Sequence, residues 1–480
     1  MKKLWILLIF LLALGFTVPV MGAEFTFNGD LNNRFQLYTN QNGFFVAEQA
    51  GVIRDKDVND NFGEAKYRLW AEASTNDGNV KGVYAIEFGG LKYGENSSTA
   101  GDNKNQGGSF SGDGVNIETR WAYTDFQIPF ADSKNRLQMG LNSQTINKYF
   151  WQETVMGVKN YGSFDPIDYE VAWFRPVDTN AATKDDKGQD LDAFYGRINS
   201  KPMDDLSLGL FGLYFYKDDP ETAAAITDRG YEIRLFARNA EFNMYTIGLD
   251  GGYNLVLDPG KLFFKWDAIY QGGKIKNASF TTTGPGTNQT AAAGVGGRAD
   301  EDFDVNAFFL HLDVGFNWDK STLTYTFWYA SGDDDPTDKD FEGYVAVDVD
   351  SFDGHVLFES LTDDNVFTER HYMLDKGFIM NKVRFDYNAT DRLKVGAAMM
   401  YMMTAEDIEY IDNNGDSQSE DTIGFEIDAD MSYTLFQGLT FNLAAGYLFA
   451  DDAMDYFEED ADGNSDENIF RLMSSIRYKF

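Results

Sequence analysis

The chain has 480 residues, no cysteine and a formal net charge of −37 at pH 7. The lack of cysteine excludes disulfides, thiolate metal sites and covalent haem attachment through Cys-x-x-Cys-His. The negative charge excludes long-range attraction to nucleic acid or to an anionic membrane face. Stability therefore has to come from packing and backbone pairing alone.

The first element is an N-terminal segment with the pattern of a secretory signal peptide. Two lysines precede an apolar run at 4–16, and small residues follow at Gly22 and Ala23. The run is about thirteen residues long, shorter than the roughly 20 that a spanning helix needs. We expect a cleaved signal peptide at 1–23 and one exported domain at 24–480. A retained anchor helix is the alternative.

Segments with a two-residue period follow along the rest of the chain. In one of them, Phe425 and Ile427 alternate with Glu426 and Asp428. A strand with this period shows an apolar face to one side and a polar, charged face to the other. The pattern predicts eighteen strands, at 24–39, 64–75, 79–90, 117–129, 135–144, 167–174, 190–199, 206–217, 229–238, 244–255, 261–273, 304–318, 321–331, 377–388, 391–404, 422–435, 439–450 and 469–480.

The connections between these strands alternate in length. Short turns are followed by long polar stretches at 40–63, 91–116, 273–303, 332–376, 405–421 and 451–468. Transmembrane barrels have this asymmetry, with short periplasmic turns and long outer loops. The sequence thus predicts an all-β fold, a transmembrane antiparallel up-and-down β-barrel with acidic extracellular loops. A soluble β-sandwich or propeller is the alternative, but it needs a second apolar layer to cover its strands.

The middle of the chain leaves the strand number open. If the turns at 199–205 and 258–260 both face the periplasm, an even number of strands must lie between them. The pattern gives three, so sixteen strands is an alternative to eighteen.

The last strand ends in "IFRLMSSIRYKF", where Ile476, Tyr478 and Phe480 fall on one face and Arg477 on the other. Together with the signal and the alternating strands, this tail resembles those of porin-like β-barrel proteins of the Gram-negative outer membrane. The resemblance implies that these three residues are the signal read by the barrel-assembly machinery. It also implies contact with outer-membrane lipid and lipopolysaccharide, and the barrels of this class include homotrimers.

A narrower resemblance rests on one stretch. The run "TFWYASGDDDP" at 326–336 is similar to a loop of alginate-export-type barrels. Those are eighteen-stranded channels with a basic lumen that pass an acidic polysaccharide.

Charged residues recur on the polar face that would line the lumen. We predict that the pore is lined by Arg34, Lys66, Arg68, Arg120, Arg234, Arg238, Lys265, Lys382, Arg384, Arg392, Lys394, Glu426, Asp428, Arg471 and Arg477. An eighteen-stranded barrel is wide enough for an aqueous channel. The pattern favours a porin that passes small hydrophilic solutes or ions. Alternatives are an exporter of an acidic polysaccharide, a sheath around a multihaem cytochrome, and a lumen filled by paired charges that only brace the wall.

The loop at 332–376 is too apolar and too β-branched for a freely solvated loop. It is the best candidate for a loop that folds into the pore, and an extracellular hairpin that extends the wall is an equal alternative. Aromatic residues near strand ends are expected in the interfacial girdles: Trp121, Trp173, Trp266, Trp318, Trp328 and Tyr478.

Two acidic loop segments suggest calcium, and no other cofactor is expected. The first offers Asp460, Asp462, Asn464 and Asp466, and the second is the run "DNNGDS" at 412–417. Hard oxygen ligands on a glycine-containing turn suit Ca²⁺. Both segments lack the glycine and glutamate of a full calcium loop, so a solvated acidic loop is the alternative.

Catalysis is not expected. The chain has three histidines, His311, His355 and His371, and no nucleophile motif accompanies them. Acidic neighbours of a histidine arise by chance in so acidic a chain, so they carry no argument for an acid–base pair.

Overall fold

The computed structural model describes twenty strands. Two of them are short, Ala225–Thr227 and Asp340–Phe341, and the other eighteen pair into one antiparallel sheet. The described residues are 23–45, 58–94, 117–129, 134–178, 190–217, 225–227, 241–281, 301–335, 338–349, 354–360, 375–465 and 467–480. The eighteen strands are β1 (Ala23–Gln41), β2 (Val58–Thr75), β3 (Val80–Lys92), β4 (Glu118–Gln127), β5 (Arg136–Asn147), β6 (Trp151–Phe164), β7 (Ile167–Val177), β8 (Leu191–Met203), β9 (Leu206–Lys217), β10 (Glu241–Leu257), β11 (Gly260–Thr281), β12 (Glu301–Trp318), β13 (Ser321–Ala330), β14 (Phe378–Asn388), β15 (Leu393–Ile411), β16 (Ser417–Phe436), β17 (Leu439–Ala450) and β18 (Ile469–Lys479).

The sheet closes on itself. Each strand pairs with its neighbour in the chain, and β18 pairs with β1 over the register from Asp30↔Lys479 to Thr39↔Phe470. Because a bilayer has no water to satisfy an open strand edge, a sheet can span it only as a closed barrel. The predicted eighteen-stranded transmembrane barrel is confirmed.

Within the described residues, the strands of the wall differ from the predicted set at β6. β6 was not predicted, because its inner face carries Val155 and Tyr161 while its outer face carries the polar Asn160, which blurs the alternation. The predicted strand at 229–238 lies outside the described residues. Since β9 pairs directly with β10, the wall has no place for a strand between them. Two strands, β9 and β10, therefore separate the short turns at 199–205 and 258–260. An even number is required because both turns lie at the same end of the barrel.

Two predicted loops are shorter than expected. The stretch at 405–421 is mostly strand, because β15 runs on to Ile411 and β16 begins at Ser417. β2 likewise begins at Val58, inside the predicted loop at 40–63. In both places polar strand residues extend the wall beyond the apolar band, where hydrophobic alternation gives no signal.

The outer face of the barrel is apolar and the inner face is polar. On β1, Phe25, Phe27 and Phe35 are exposed, whereas Arg34 on the opposite parity is 1% exposed. On β18, Leu472, Ile476 and Tyr478 are exposed, as is Phe480 just after the strand, while Arg471 is buried. Within the described residues, no helix is long and apolar enough to cross a membrane.

Two of the tryptophans expected in the girdles face inward instead. Trp173 is exposed on the outer wall, and Trp318 stacks on the outer face against Phe316. Trp328, however, is 1% exposed and packs inside the barrel. Trp121 contacts Trp70 on the inner face, with ring centroids 5.7 Å apart. The expectation was wrong for both, and for Trp328 the reason is that the barrel contains an apolar core of its own.

That core lies at the end of the barrel where the long loops are, which we call the long-loop end. Inner-face aromatics pack there against loop segments that enter the lumen, and all of them belong to one buried cluster. The segments contribute Phe44, Phe45, Tyr149, Phe150, Trp151, Tyr344, Val345, Val356, Leu357, Phe358, Met454 and Phe457. Burial of this apolar area gives the loops a defined position inside the wall.

Candidate functional site: a lumen narrowed by two inward segments

The turn between β5 and β6 is the first segment inside the lumen. Asn147 Nδ2 donates to Asp267 Oδ1 on β11 over 2.6 Å. The Tyr149 ring lies 4.6 Å from the ring of His311 on β12 and 4.8 Å from that of Trp328 on β13. Strands β11 to β13 are not neighbours of β5 and β6 in the sheet. The turn therefore reaches across the lumen; we call it the hairpin tip.

The second segment belongs to the loop between β13 and β14, whose described residues 344–349 lie inside the lumen, one of the two courses that the sequence left open. Tyr344 Oη donates to the carbonyl of Tyr149 over 2.8 Å, and Val347 N donates to the carbonyl of Phe150 over 2.8 Å. Val345 exchanges two hydrogen bonds with the side chain of Gln271 on β11, at 2.7 and 3.0 Å. The loop is thus fastened both to the hairpin tip and to the wall.

A later part of this loop, residues 354–360, is bound by buried charges; we call it the anchor segment. The carboxylate of Glu426 accepts from the N–H groups of His355, Val356 and Leu357 at 2.8, 2.7 and 3.1 Å. Glu426 is fully buried. Burying a carboxylate is costly unless hydrogen bonds satisfy it, and here the donors come from the loop backbone.

Arg471 binds the same segment from β18. Its Nη1 donates to the carbonyl of His355 over 2.7 Å and to that of Ser360 over 3.2 Å. Its Nη2 donates to Gln36 Oε1 over 2.7 Å. Tyr38 Oη adds a 2.7 Å hydrogen bond to Glu359. The anchor segment is therefore tied to three strands, β1, β16 and β18.

Below the two segments, toward the short-turn end, the lumen contains polar cavities. One has a volume of about 530 Å³ and a second about 510 Å³, and they share Arg197, Ser207, Asp250 and Gly251 as lining residues. Arg197 lies at their junction. Its Nη2 is 2.6 Å from Asp250 Oδ1, and its Nη1 donates to the carbonyl of Ile146 over 3.0 Å. Arg197 thus supports the hairpin tip from below.

The cavity nearer the hairpin tip carries both signs of charge. His311 Nδ1 lies 2.9 Å from Asp267 Oδ2, and its Nε2 lies 3.1 Å from Asp313 Oδ1. Lys265 and Lys148 line the same cavity. A solute that enters this space meets carboxylates and cations within one cross-section of the barrel.

Six of the fifteen residues predicted to line the pore lie on the inner face in ion pairs. Arg34 Nε is 2.7 Å from Glu64, Arg384 Nη1 is 2.8 Å from Asp430, and Arg477 Nε is 2.7 Å from Asp30. The carboxylate of Glu87 forms ion pairs with three of the predicted cations, Lys66, Arg68 and Arg120.

The remaining predicted pore residues fall into four groups. Lys382 and Asp428 are buried, as are Glu426 and Arg471 at the anchor segment. Arg392 and Lys394 are exposed at the start of β15, at the short-turn end, and Lys265 faces the cavity. Arg234 and Arg238 lie outside the described residues.

The residues that line the cavities were largely missing from the prediction. Arg197 shares its parity with Tyr195 in a strand that the pattern did predict, so the alternation rule alone would have included it. Its partner Asp250 lies on β10, and His311 meets Asp267 across β11 and β12. Such contacts depend on strand register, which the sequence does not state.

The residues proposed for calcium lie at the surface of a loop. Asp460, Asp462 and Asn464 are exposed, and Asp466 lies outside the described residues. Their turn is organised by Asp455, which accepts from Asp462 N and Gly463 N at 3.0 Å each. Within the described ranges, no group of three or more acidic or histidine side chains converges as a metal site. Calcium binding stays a prediction.

The second calcium segment forms a turn closed by its own hydrogen bonds. Asp412 Oδ1 accepts from Asn414 N and Asp416 N at 2.9 and 2.8 Å, and its Oδ2 accepts from Gln418 Nε2 at 2.8 Å. Both carboxylate oxygens are thereby engaged with protein donors.

The closed eighteen-stranded barrel, with its apolar outer face and its loop-narrowed polar lumen, has the fold of an outer-membrane porin. Solved structures from Pseudomonas aeruginosa share this fold over 95% of the chain. OccK8 (OprE) matches with a TM-score of 0.54, 12% identity and 98% of its own length. OprD matches with 0.51, 15% and 94%, and OpdK, determined with vanillate, with 0.50, 10% and 98%. No protein-family model and no curated protein sequence matches the chain.

Proposed function

We propose that this protein is a diffusion channel of the Gram-negative outer membrane that passes small hydrophilic solutes. The observation that carries the proposal is the pair of polar cavities beneath the two inward segments, inside a closed barrel. Segments that narrow a wide barrel create a region where solutes are selected by size and charge. The likeness in fold to OprD, and to OpdK, whose structure was determined with vanillate, supports this reading.

The orientation of the barrel in the membrane follows from the different lengths of the connections at its two ends. We infer that the short turns face the periplasm and the long acidic loops face outward. A solute would then pass the inward segments first and reach the cavities around Arg197 and Asp250 afterwards. The mixed charges there suit small molecules that carry both polar and charged groups.

The other candidate functions fit the lumen less well. A sheath needs space for its partner, yet residues 344–349 and 354–360 occupy the lumen at the long-loop end. Export of an acidic polysaccharide needs a basic path, whereas Asp250, Asp267 and Asp313 line the cavities beside the cations.

A solute-flux assay tests the proposal. The refolded protein is placed in liposomes, and swelling is followed after addition of a monosaccharide or of an oligosaccharide. We expect the monosaccharide to enter and the oligosaccharide to be excluded. Liposomes with heat-unfolded protein are the control. Barrels that are folded and inserted but admit neither sugar would contradict the proposal.

A further inference from the structure

The barrel wall is interrupted beside the hairpin of β5 and β6. The β6–β7 ladder ends at Gly157↔Phe174, although β6 begins six residues earlier at Trp151 and β7 continues to Val177. On the other side, the β4–β5 ladder ends at Ala122↔Leu141. The hairpin itself stays paired up to its tip. Within these described strands, residues 142–156 therefore leave the wall as a unit.

Two glycines mark the point of departure. Gly140 and Gly157 face each other across the hairpin. A Cβ on Gly140 would lie 2.3 Å from the carbonyl oxygen of Ala122, and Gly140 has a φ of +127°. A Cβ on Gly157 would lie 2.5 Å from the carbonyl oxygen of Trp173. The hairpin thus contacts β4 and β7 most closely where it starts to bend inward.

A cavity of about 340 Å³ fills the resulting gap between β6 and β7. Its lining includes Met156, which is 56% exposed on the outer face of the barrel. It also includes the inward-facing Leu191 and Phe215, which are 1% and 0% exposed. Residues from opposite faces of a sheet can line one cavity only where the sheet is open. The cavity therefore passes through the wall, from the lipid side to the apolar core.

The lining of this cavity is mainly apolar, and Glu153, Thr154, Arg175 and Asp348 add polar groups to it. Leu141, Val155, Met156, Val177, Leu191 and Phe215 supply apolar surface. Arg175 lies at the rim over the Trp173 ring and pairs with Asp190 and Asp192 at 2.8 and 2.9 Å. Trp173 Nε1 also donates to Asp192. A tryptophan with such a polar partner is typical of the membrane–water interface.

We propose that this gap is a lateral binding site for the alkyl chain of a single-chain amphiphile in the outer half of the bilayer. The head group lies at the Trp173–Arg175 rim, and the chain enters between β6 and β7. The volume is at the lower end of the range of about 300 to 1,000 Å³ for small-molecule pockets. It suits one chain and is too small for the several chains of lipopolysaccharide. This site goes beyond aqueous diffusion and does not depend on it.

Single-cysteine variants test the site, because the chain has no cysteine of its own. Leu191→Cys places a thiol in the cavity. Leu213→Cys is the matched control, since Leu213 is 2% exposed on the inner face of β9 and does not line the cavity. Both are reconstituted in liposomes and treated with N-dodecylmaleimide or with a charged, water-soluble maleimide. Heat-dependent gel mobility verifies that each barrel is folded.

We expect N-dodecylmaleimide to modify Leu191→Cys several-fold faster than Leu213→Cys, and n-dodecanol to slow that reaction. Equal rates for the two folded variants would overturn the proposal. Faster modification of Leu191→Cys by the charged reagent would also overturn it, because the gap would then open to water. Protection by lipopolysaccharide but not by dodecanol would reject the single-chain assignment. If Leu191→Cys does not fold, Val155→Cys provides a second thiol in the same cavity.

Discussion

Glu426 and Arg471 bind opposite sides of one residue in the lumen, since Glu426 accepts from His355 N and Arg471 donates to the His355 carbonyl. The two side chains come from β16 and β18, and each is almost fully buried. The two charged side chains do not pair with each other. Each is stabilised by hydrogen bonds to the backbone of the loop. The position of the anchor segment and the burial of these charges therefore depend on each other.

Removal of Glu426 should release the anchor segment. In Glu426→Ala the N–H groups of Val356 and Leu357 lose their acceptor, while His355 N keeps only its 3.2 Å hydrogen bond to Asp428 Oδ2. Each hydrogen bond to a charged group contributes about 1.5–3 kcal/mol. We expect higher single-channel conductance and faster protease cleavage within the loop. Glu409→Ala removes an equal charge from an exposed position of β15 and should leave both unchanged. Identical conductance and cleavage in the two variants would refute the anchoring role.

Arg197 should set the ion preference of the lower lumen. Arg197→Gln leaves Asp250 without its cation inside the cavity, so the reversal potential under a salt gradient should shift toward cations. The shift should be larger at about 0.01 M salt, where the Debye length is about 30 Å, than at about 1 M. Arg392→Gln, at the exposed start of β15, is the control and should shift it less. A larger effect of Arg392→Gln would place the selective region at the mouth.

Phe480 should contribute more to assembly of the barrel than another exposed aromatic residue at a short turn does. Its backbone exchanges hydrogen bonds of 3.0 and 3.1 Å with Gly29, and its ring packs beside Tyr478. Phe480→Ala should lower the fraction of folded barrel in the outer membrane. Phe436→Ala removes a ring at another short turn that is 73% exposed, against 46% for Phe480, and should have little effect. Equal yields of folded barrel for both variants would remove the special role of the terminal residue.

The loop after β17 should depend on Asp455. This buried carboxylate binds Tyr410 Oη as well as Asp462 N and Gly463 N. Asp455→Ala leaves these donors unpaired and should speed amide exchange in the loop, whereas Asp460→Ala at the surface should not.

Calorimetric titration with Ca²⁺ tests the calcium prediction separately. Binding that is lost in Asp460→Ala would establish a calcium site there.

Acid should loosen the turn at Asp412. Burial of this carboxyl favours its neutral form, but hydrogen bonds from Gln418, Asp416 N and Asn414 N outweigh it and lower the pKa of Asp412 below the ordinary 3.8. With a lowered pKa, the ionised group stabilises the turn above pH 3.8, and this contribution is lost as the pH falls through the folded-state value. Amide exchange of Asn414 and Asp416, corrected for intrinsic rates, should rise in acid. In Asp412→Asn it should not change with pH.

The sequence predicted the wall far better than the lumen. Alternation placed Arg471 inside and Ile476 outside because lipid demands one apolar face on every strand. The same rule misplaced Trp328 and missed β6, since inward apolar residues pack against loops there and break the pattern. The apolar residues of the 332–376 loop made it the best candidate for an inward segment, but they did not decide between that course and an extracellular hairpin.

The contacts that define the candidate site were not predictable in the same way. Glu426 was placed on the inner face, but its acceptance of three N–H groups from the loop depends on where a segment about seventy residues earlier lies. Arg197 and Asp250 meet through the register of β8 to β10. The residues proposed for the pore and the signal peptide at 1–23 stay predictions.

The most direct test of the account is single-channel recording of the refolded barrel in a planar bilayer, with wild type and Glu426→Ala side by side. The account predicts stable, small open steps for the wild type and larger steps for the variant, because the anchored loop narrows a lumen that conducts. A correctly inserted wild-type barrel that never opens, together with a variant that stays equally silent, would contradict it.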